Sequence, residues 1–318
     1  MINFLQLVKN EQMKLFSQRS TWIMITIISV LTIAFGIFMK VDGSMVAGEV
    51  PAGPDWKNEL REQNAQLTSQ KGPEDGIKYS SLTDVRMNEY RIENDIRPTT
   101  YNVWKFLHEN LNNISILSLF TIIVAGGVVA NEFKWGTIKL LLIRPISRSK
   151  ILLSKFVSVF LFAGIMLVFL YGTAFLIGSI LFGMNGFSDP YLYRQGGDIQ
   201  QAHVFIHTVF QYLISMVNLV MMGTFAFMIS TVFRNTSLAI GVPIFLMMGG
   251  NSIILFLSDK EWVKYILFAN TDLRKFLEGS PMIQDLTISF SITVLIVYFF
   301  VFVSLSWYSF TKRDVAST

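Results

Sequence analysis

The chain has 318 residues, of which 52% are hydrophobic and only 15% charged, with a mean hydropathy of +0.48. A soluble domain carries about 25% charged residues, so this chain has too few polar groups to cover a soluble surface, and its composition is that of a membrane protein. The net charge of +4 sits in short segments beside apolar runs, which argues against a nucleic-acid partner, and the lack of cysteine excludes disulfides and thiolate chemistry.

Residues 1–19 place apolar side chains at 4, 5, 8, 15 and 16, with Lys9 and Lys14 elsewhere, which predicts a helix lying in the membrane interface. The alternative is a helical extension of the first span. A cleavable signal peptide is not expected, because the first apolar run is too long for one. A span needs about 20 apolar residues to cross about 30 Å of hydrocarbon, and residues 20–39 supply the first. Residues 40–109 are the one sizeable polar piece. They open on a loop with Gly43, Gly48, Pro51, Gly53 and Pro54, followed by two helical stretches, Asp55 to Gln70 and Ser81 to Ile96, parted by Lys71 to Gly76. Ser81 with Asp84 resembles a capping box. This reads as a small external helical hairpin, with a solvated loop as the alternative.

The second span is 110–130 and a short basic segment, 131–150, follows it. The third span is Phe156 to Phe182, on a helix of 151–182 whose first turns are expected to project into water. The fourth span is 208–233 and the fifth 237–257, with a kink expected at Pro243. Residues 258–285 read as external; their apolar stretch, Trp262 to Phe268, is too short to cross and could form a re-entrant or interfacial turn. The sixth span is 286–310, and 311–318 form a tail. Backbone groups in lipid must be satisfied within each segment, so runs of this length are helices; barrel strands would alternate and be half as long. The predicted fold is therefore all-α: a polytopic membrane protein with six transmembrane helices, an N-terminal interfacial helix and a small helical external insertion.

Six spans place both chain ends on one side. The segments on that side hold twelve of the 26 Lys/Arg but three of the 22 acids. Most of the remaining charge lies in 40–109, a loop long enough to translocate regardless of charge. The short loops therefore place both termini in the cytoplasm, with the chain in the cell membrane.

No G-x-x-x-x-G-K-[ST] phosphate loop occurs, so ATP binding in that manner is not expected of this chain. The apolar cores of the spans carry no Asp, Glu, Lys or Arg, whereas ion-coupled carriers use such a group near the midplane. Backbone carbonyls can bind sodium, which keeps that alternative open. His203 and His207 are four apart and have the spacing of a metal pair, but no third ligand is evident; His108 reads as structural. With no paired acids in the spans, enzyme activity is not expected. Asn112, Asn113, Asn218 and Asn251 read as helix–helix hydrogen bonders, and Gly126/Ala130 and Ala174/Gly178 as close-packing points.

The most distinctive stretch is 131–150. Glu132 to Ile143 reads as one short helix, with Ile138, Leu141 and Leu142 on an apolar side flanked by Lys134 and Lys139. Gly136 and Thr137 leave room for a partner backbone, and Arg144-Pro145 forces a break. The plain alternative is a positive-inside anchor. The run Glu132-x-x-x-Gly136-Thr137, then Leu140-Leu141-Leu142, Pro145, Ser147-Arg148, Ile151-Leu152 and Lys155, resembles the segment between the second and third spans of ABC-2 type permeases. The six-span layout and the inner turn Ser230 to Ser237 are similar too, and the insertion resembles that of bacterial members linked to peptide-antibiotic resistance and efflux.

The resemblance implies a coupling helix docked on a separate nucleotide-binding ATPase subunit, with ATP and magnesium held there and no cofactor on this chain. It also implies a second permease subunit, identical or related. Glu132 would pair with a basic group of the ATPase or cap the short helix, Gly136 and Thr137 would allow close docking, and Arg144, Arg148 and Lys150 would hold the headgroup boundary or the ATPase surface. Two alternatives from other classes remain: an ion-coupled secondary transporter, and a non-transporting membrane assembly or sensor protein acting through residues 40–109.

Overall fold

A computed structural model describes residues 4–41, 53–69, 79–143, 145–195, 198–277, 283 and 286–312. Among these, six helices are long and apolar enough to cross a membrane. The chain opens with α1 (Phe4–Phe16), which turns at Ser17 and Gln18 into α2 (Arg19–Val41). The turn is closed by side chains of the second helix. Thr21 Oγ1 donates to Leu15 O at 2.6 Å and Trp22 Nε1 to Phe16 O at 3.0 Å, so carbonyls at the end of α1 are satisfied. Within α2 the hydroxyls of Thr26, Ser29 and Thr32 bond carbonyls four residues back, which lets polar residues sit in an apolar span.

Next come α3 (Trp56–Ser69) and α4 (Tyr79–Glu93), packed side by side, with Asn88 Nδ2 donating to Asn64 Oδ1 at 2.8 Å. The expected opening loop and the turn at 71–76 lie mostly outside the described residues. Helix α5 (Val103–Glu109) begins on an Asn102 cap that accepts from Trp104 N and Lys105 N at 3.1 Å. A 3-10 turn, Asn110–Asn113, joins it to α6 (Ile114–Lys134). The second apolar run thus starts at Val103, seven residues before the expected boundary. Helix α7 (Thr137–Leu142) is short, and α8 (Arg148–Phe182) is the longest at 35 residues.

A β-hairpin absent from the sequence reading follows: β1 (Pro190–Gln195) pairs antiparallel with β2 (Asp198–His203). Its Arg194 and Gln201 meet Thr83 and Tyr90 of α4, so the outer helices rest on it. Helix α9 (Val204–Phe233) continues directly from β2, and α10 (Thr236–Phe256) runs through Pro243. Between them Arg234 is left-handed (φ 54) and Asn235 caps α10. A 3-10 turn (Glu261–Tyr265), α11 (Leu267–Asn270) and α12 (Arg274–Leu277) form a compact cap with Val263, Leu267 and Asn270 buried. The last element is α13 (Ile288–Lys312).

Helices α6, α8 and α9 form the centre, each buried over more than half of its apolar window, while α2, α10 and α13 are under a third buried. The outward side chains of those three, such as Val30, Phe245 and Phe300, are the lipid-facing surface. Close packing is set by small residues. A Cβ on Gly126 would lie 2.9 Å from Ala239 O, so α10 presses its backbone on α6 there. Ser230 Oγ of α9 donates to Gly126 O at 2.7 Å and accepts from Ala130 N at 3.0 Å. Helix α1, the α6–α8 connection and the end of α13 share one end of the bundle, tied by Arg148 Nη1 donating to Thr311 O at 3.3 Å.

Candidate functional site

At that shared end, the buried side chain of greatest chemical consequence is Lys155. Lys155 is 0% exposed. It lies on the same face of α8 as Leu152, Val159 and Phe162, all buried, so its ammonium enters the protein rather than the solvent. Two carboxylates meet it. Glu11 of α1 accepts at 3.0 and 3.1 Å, and Glu132 Oε1 at 3.1 Å. Glu132, 3% exposed at the end of α6, also accepts from Lys14 of α1 and from the Thr137 hydroxyl of α7.

Two cations and two anions therefore balance in a site walled by Leu15, Leu152 and Val159. The charges join three helices, α1, α6 and α8, and the Thr137 hydroxyl adds α7. Charge-assisted hydrogen bonds of this kind are about twice as strong as neutral ones, and the site holds α1 flat against α8, where Gln12 Nε2 donates to Ser158 O at 2.7 Å. In the first turns of α8, Ile151, Leu152 and Lys155 are buried inside the protein, while Lys150 and Leu153 are exposed.

The segment after Glu132 departs from the single helix expected over Glu132 to Ile143. Helix α6 carries on to Lys134, Trp135 closes it, and Gly136 turns the chain at φ +70 before α7 begins. That left-handed conformation favours glycine. Among the described residues of this chain a Cβ there would meet nothing within 4 Å, so within the chain it is the left-handed backbone that calls for glycine. On α7, Ile138 is buried at 2% and faces the core, while Leu140 (67%) and Ile143 (80%) are exposed, as is Trp135 (62%) on the other side of the glycine. Lys134 and Lys139 are exposed among them. The tip thus presents an apolar surface interrupted by cations. Beside it, a cavity of about 170 Å³ lies between α1, α6 and α10, lined by Gln18, Asn131, Glu132, Trp135 and Thr236 among others.

Of the residues singled out from sequence, Glu132, Gly136 and Thr137 come together here. Arg148 does not: it begins α8 and holds the end of α13. Arg144 lies outside the described residues. Glu11, Lys14 and Lys155 were missed as site residues, although the placement of Lys155 among Leu152, Val159 and Phe162 at helical spacing was a readable signal. His203 and His207 do not share a helix face: His203 ends β2, and the His207 ring stacks on Tyr191 at 4.4 Å and its Nε2 accepts from Gln211 Nε2 at 2.9 Å. Among the described residues no group of three or more His, Cys, Asp or Glu could hold a metal.

Residues 83–316 match a family model described as "Protein of unknown function (DUF2705)". The chain is 40% identical over 317 residues to the "Uncharacterized protein YhcI" of Bacillus subtilis (strain 168), covering 98% of this chain and 100% of that protein. It is 31% identical over 203 residues to the "Uncharacterized membrane protein YdbK" of the same organism, covering 63% of this chain and 78% of that one. With these matches and its six long apolar helices, the chain is an integral membrane protein of the DUF2705 family.

Proposed function

We propose that this protein is the permease subunit of an ABC exporter, with α7 as the element that receives movement from a separate ATP-hydrolysing subunit. The observation that carries the reading is the construction of α7. It hangs from a left-handed glycine, turns Leu140 and Ile143 outward, and is tied through Thr137 and Glu132 to α1, α6 and α8. An anchor that only sets orientation needs charge near the membrane. It needs neither exposed apolar groups at the tip nor a buried ionic tie behind them.

In this reading the shared end faces the cytoplasm, and ATP and magnesium sit on the partner. A second permease subunit completes the path across the cell membrane. Displacement of α7 is transmitted through Glu132 to Lys155 at the foot of α8 and to Lys14 on α1, so that those helices move together.

The chain lacks cysteine, so Leu140→Cys gives a unique thiol. In inside-out vesicles it is expected to react with a membrane-impermeant maleimide, and to be protected when a phosphate-loop ATPase encoded beside this chain is co-expressed. Equal labelling with and without that ATPase, together with cargo movement that needs no nucleotide, would sink the reading.

A further inference from the structure

At the opposite end of the bundle, a cleft of about 370 Å³ lies where α4 leaves the outer helical pair and β1 begins. Asp95 makes this cleft possible. Its left-handed backbone (φ 56) ends α4, Ile96 N returns to Arg91 O at 2.9 Å, and the chain then runs extended through Arg97 and Pro98 to Thr99. Arg91, Arg97 and Asp189 all line the space. Arg91 is half-buried, and burial pushes its guanidinium below the usual arginine range. Among the described residues its side chain makes no hydrogen bond or ion pair, although the guanidinium carries five donors. Arg97 uses one contact, Nη2 to Gly53 O at 3.0 Å. A third cation stands close behind: Lys105 Nζ donates to Thr99 O at 2.6 Å.

The acids do not cancel these charges. Asp95 is taken by Lys57 at 2.6 Å. Asp189 shares the cleft, yet among the described residues it pairs with neither arginine. Two guanidinium groups therefore line a space with a carboxylate, Asp189, that neither of them pairs with among the described residues, while Lys105 behind it also faces Glu109. A guanidinium withdrawn from water is stabilised by a planar, bidentate acceptor such as a carboxylate or phosphate.

We propose that the cleft lined by Arg91 and Arg97 is a binding site for an anionic group of the phosphate or carboxylate class, with Asp189 opposing it and setting its affinity. The site is independent of the ATPase-coupling reading. It lies a few residues before the start of α5, close to the level where the apolar run begins, so the group can belong to a lipid headgroup or to a free solute.

The test uses the full chain in nanodiscs of neutral phosphatidylcholine, titrated with inorganic phosphate at constant ionic strength, reading the thermal unfolding midpoint. The wild-type midpoint is expected to rise in a saturable manner. Arg91→Gln and Arg97→Gln should each weaken the apparent affinity by about tenfold, the loss of one charge-assisted contact. Asp189→Asn should strengthen it several-fold, a gain that a misfolded variant would not show. In discs containing phosphatidylglycerol, a wild-type midpoint already raised and insensitive to phosphate identifies the headgroup as occupant. A phosphate response retained there identifies a free anion. A phosphate shift that is the same in wild type, Arg91→Gln and Asp189→Asn overturns the proposal, as does no shift in neutral discs with no Arg91-dependent difference between the two lipids.

Discussion

The carboxylate of Glu132 and the ammonium of Lys155 meet at 3.1 Å, with 4% and 0% of their side chains exposed. They are 23 residues apart, at the ends of two helices joined by α7. Taking both charges out of water is costly, and the pair is sustained only because Lys14, Glu11 and Thr137 satisfy what remains of each. Loss of either Glu132 or Lys155 therefore leaves buried charge behind.

Lys155→Met tests this joint. It leaves the Glu11 and Glu132 carboxylates facing each other without the ammonium between them, and should cost about 3–5 kcal/mol, the range for breaking a buried pair on one side. Adding Glu132→Gln removes the stranded charge, and the double variant should recover at least half of the loss. Unfolding midpoints of the purified protein in detergent measure both. A double variant no more stable than Lys155→Met would show that the pair is not coupled.

Gly136 separates conformation from space. Its φ of +70 disfavours any residue with a Cβ, yet nothing stands within 4 Å of where that atom would be. Gly136→Ala should cost about 1 kcal/mol, and Gly136→Asn less, because asparagine visits the left-handed region more readily. Both should insert normally. If α7 is the coupling element, Gly136→Val should lower ATPase-dependent export while Gly136→Asn retains most of it. Equal export by both would mean that the turn carries no mechanical role.

Six apolar runs with polar connections were legible from the sequence because hydropathy alone dictates them. Boundaries were less so, since Val103 to Leu107 belong to a buried helix whose Lys105 and His108 interrupt the apolar count. The β-hairpin at 190–203 was not read: its residues are mostly polar, and its order depends on Arg194 and Gln201 meeting α4 from far away in the chain. At the site, Glu132, Gly136 and Thr137 were visible as a local pattern. Glu11, Lys14 and Lys155 were not, because a charge count treats lysine near a membrane as an anchor. The spacing of Lys155 with Leu152, Val159 and Phe162 hints that it turns inward, but only packing shows that α1 lies across it and brings Glu11 and Lys14 to the site.

Two glycines predicted to mark close packing should respond differently to the same change. A Cβ on Gly126 meets the Ala239 carbonyl at 2.9 Å, which is backbone of α10 and cannot rotate away. A Cβ on Gly178 meets side chains only, Phe106 Cδ1 at 2.9 Å and Val103 Cγ2 at 3.1 Å, so relief there needs repacking of α5 side chains rather than movement of a backbone. Gly126→Ala should therefore cost about 2 kcal/mol, within the range for overpacking, and Gly178→Ala clearly less. Thermal midpoints in one detergent rank them; the reverse order would contradict the packing described for α6 and α10.

Thr137 is the place to cut α7 from the ionic joint without disturbing either fold. Its hydroxyl donates to Glu132, while the side chain is half-buried at the start of α7. Thr137→Val keeps the shape and removes the donor, so Glu132 stays held by Lys14 and Lys155 and stability should fall by about 1–3 kcal/mol. Thr137→Ser keeps the donor and should lose little. The two variants differ in one hydrogen bond, so a transport difference between them reports transmission through that bond. Nucleotide-dependent export is expected to fall in Thr137→Val and to persist in Thr137→Ser, with the partner's basal hydrolysis unchanged in both. Export falling equally in the two would assign the effect to packing of the threonine methyl, and α7 would then act on α8 by contact rather than through Glu132.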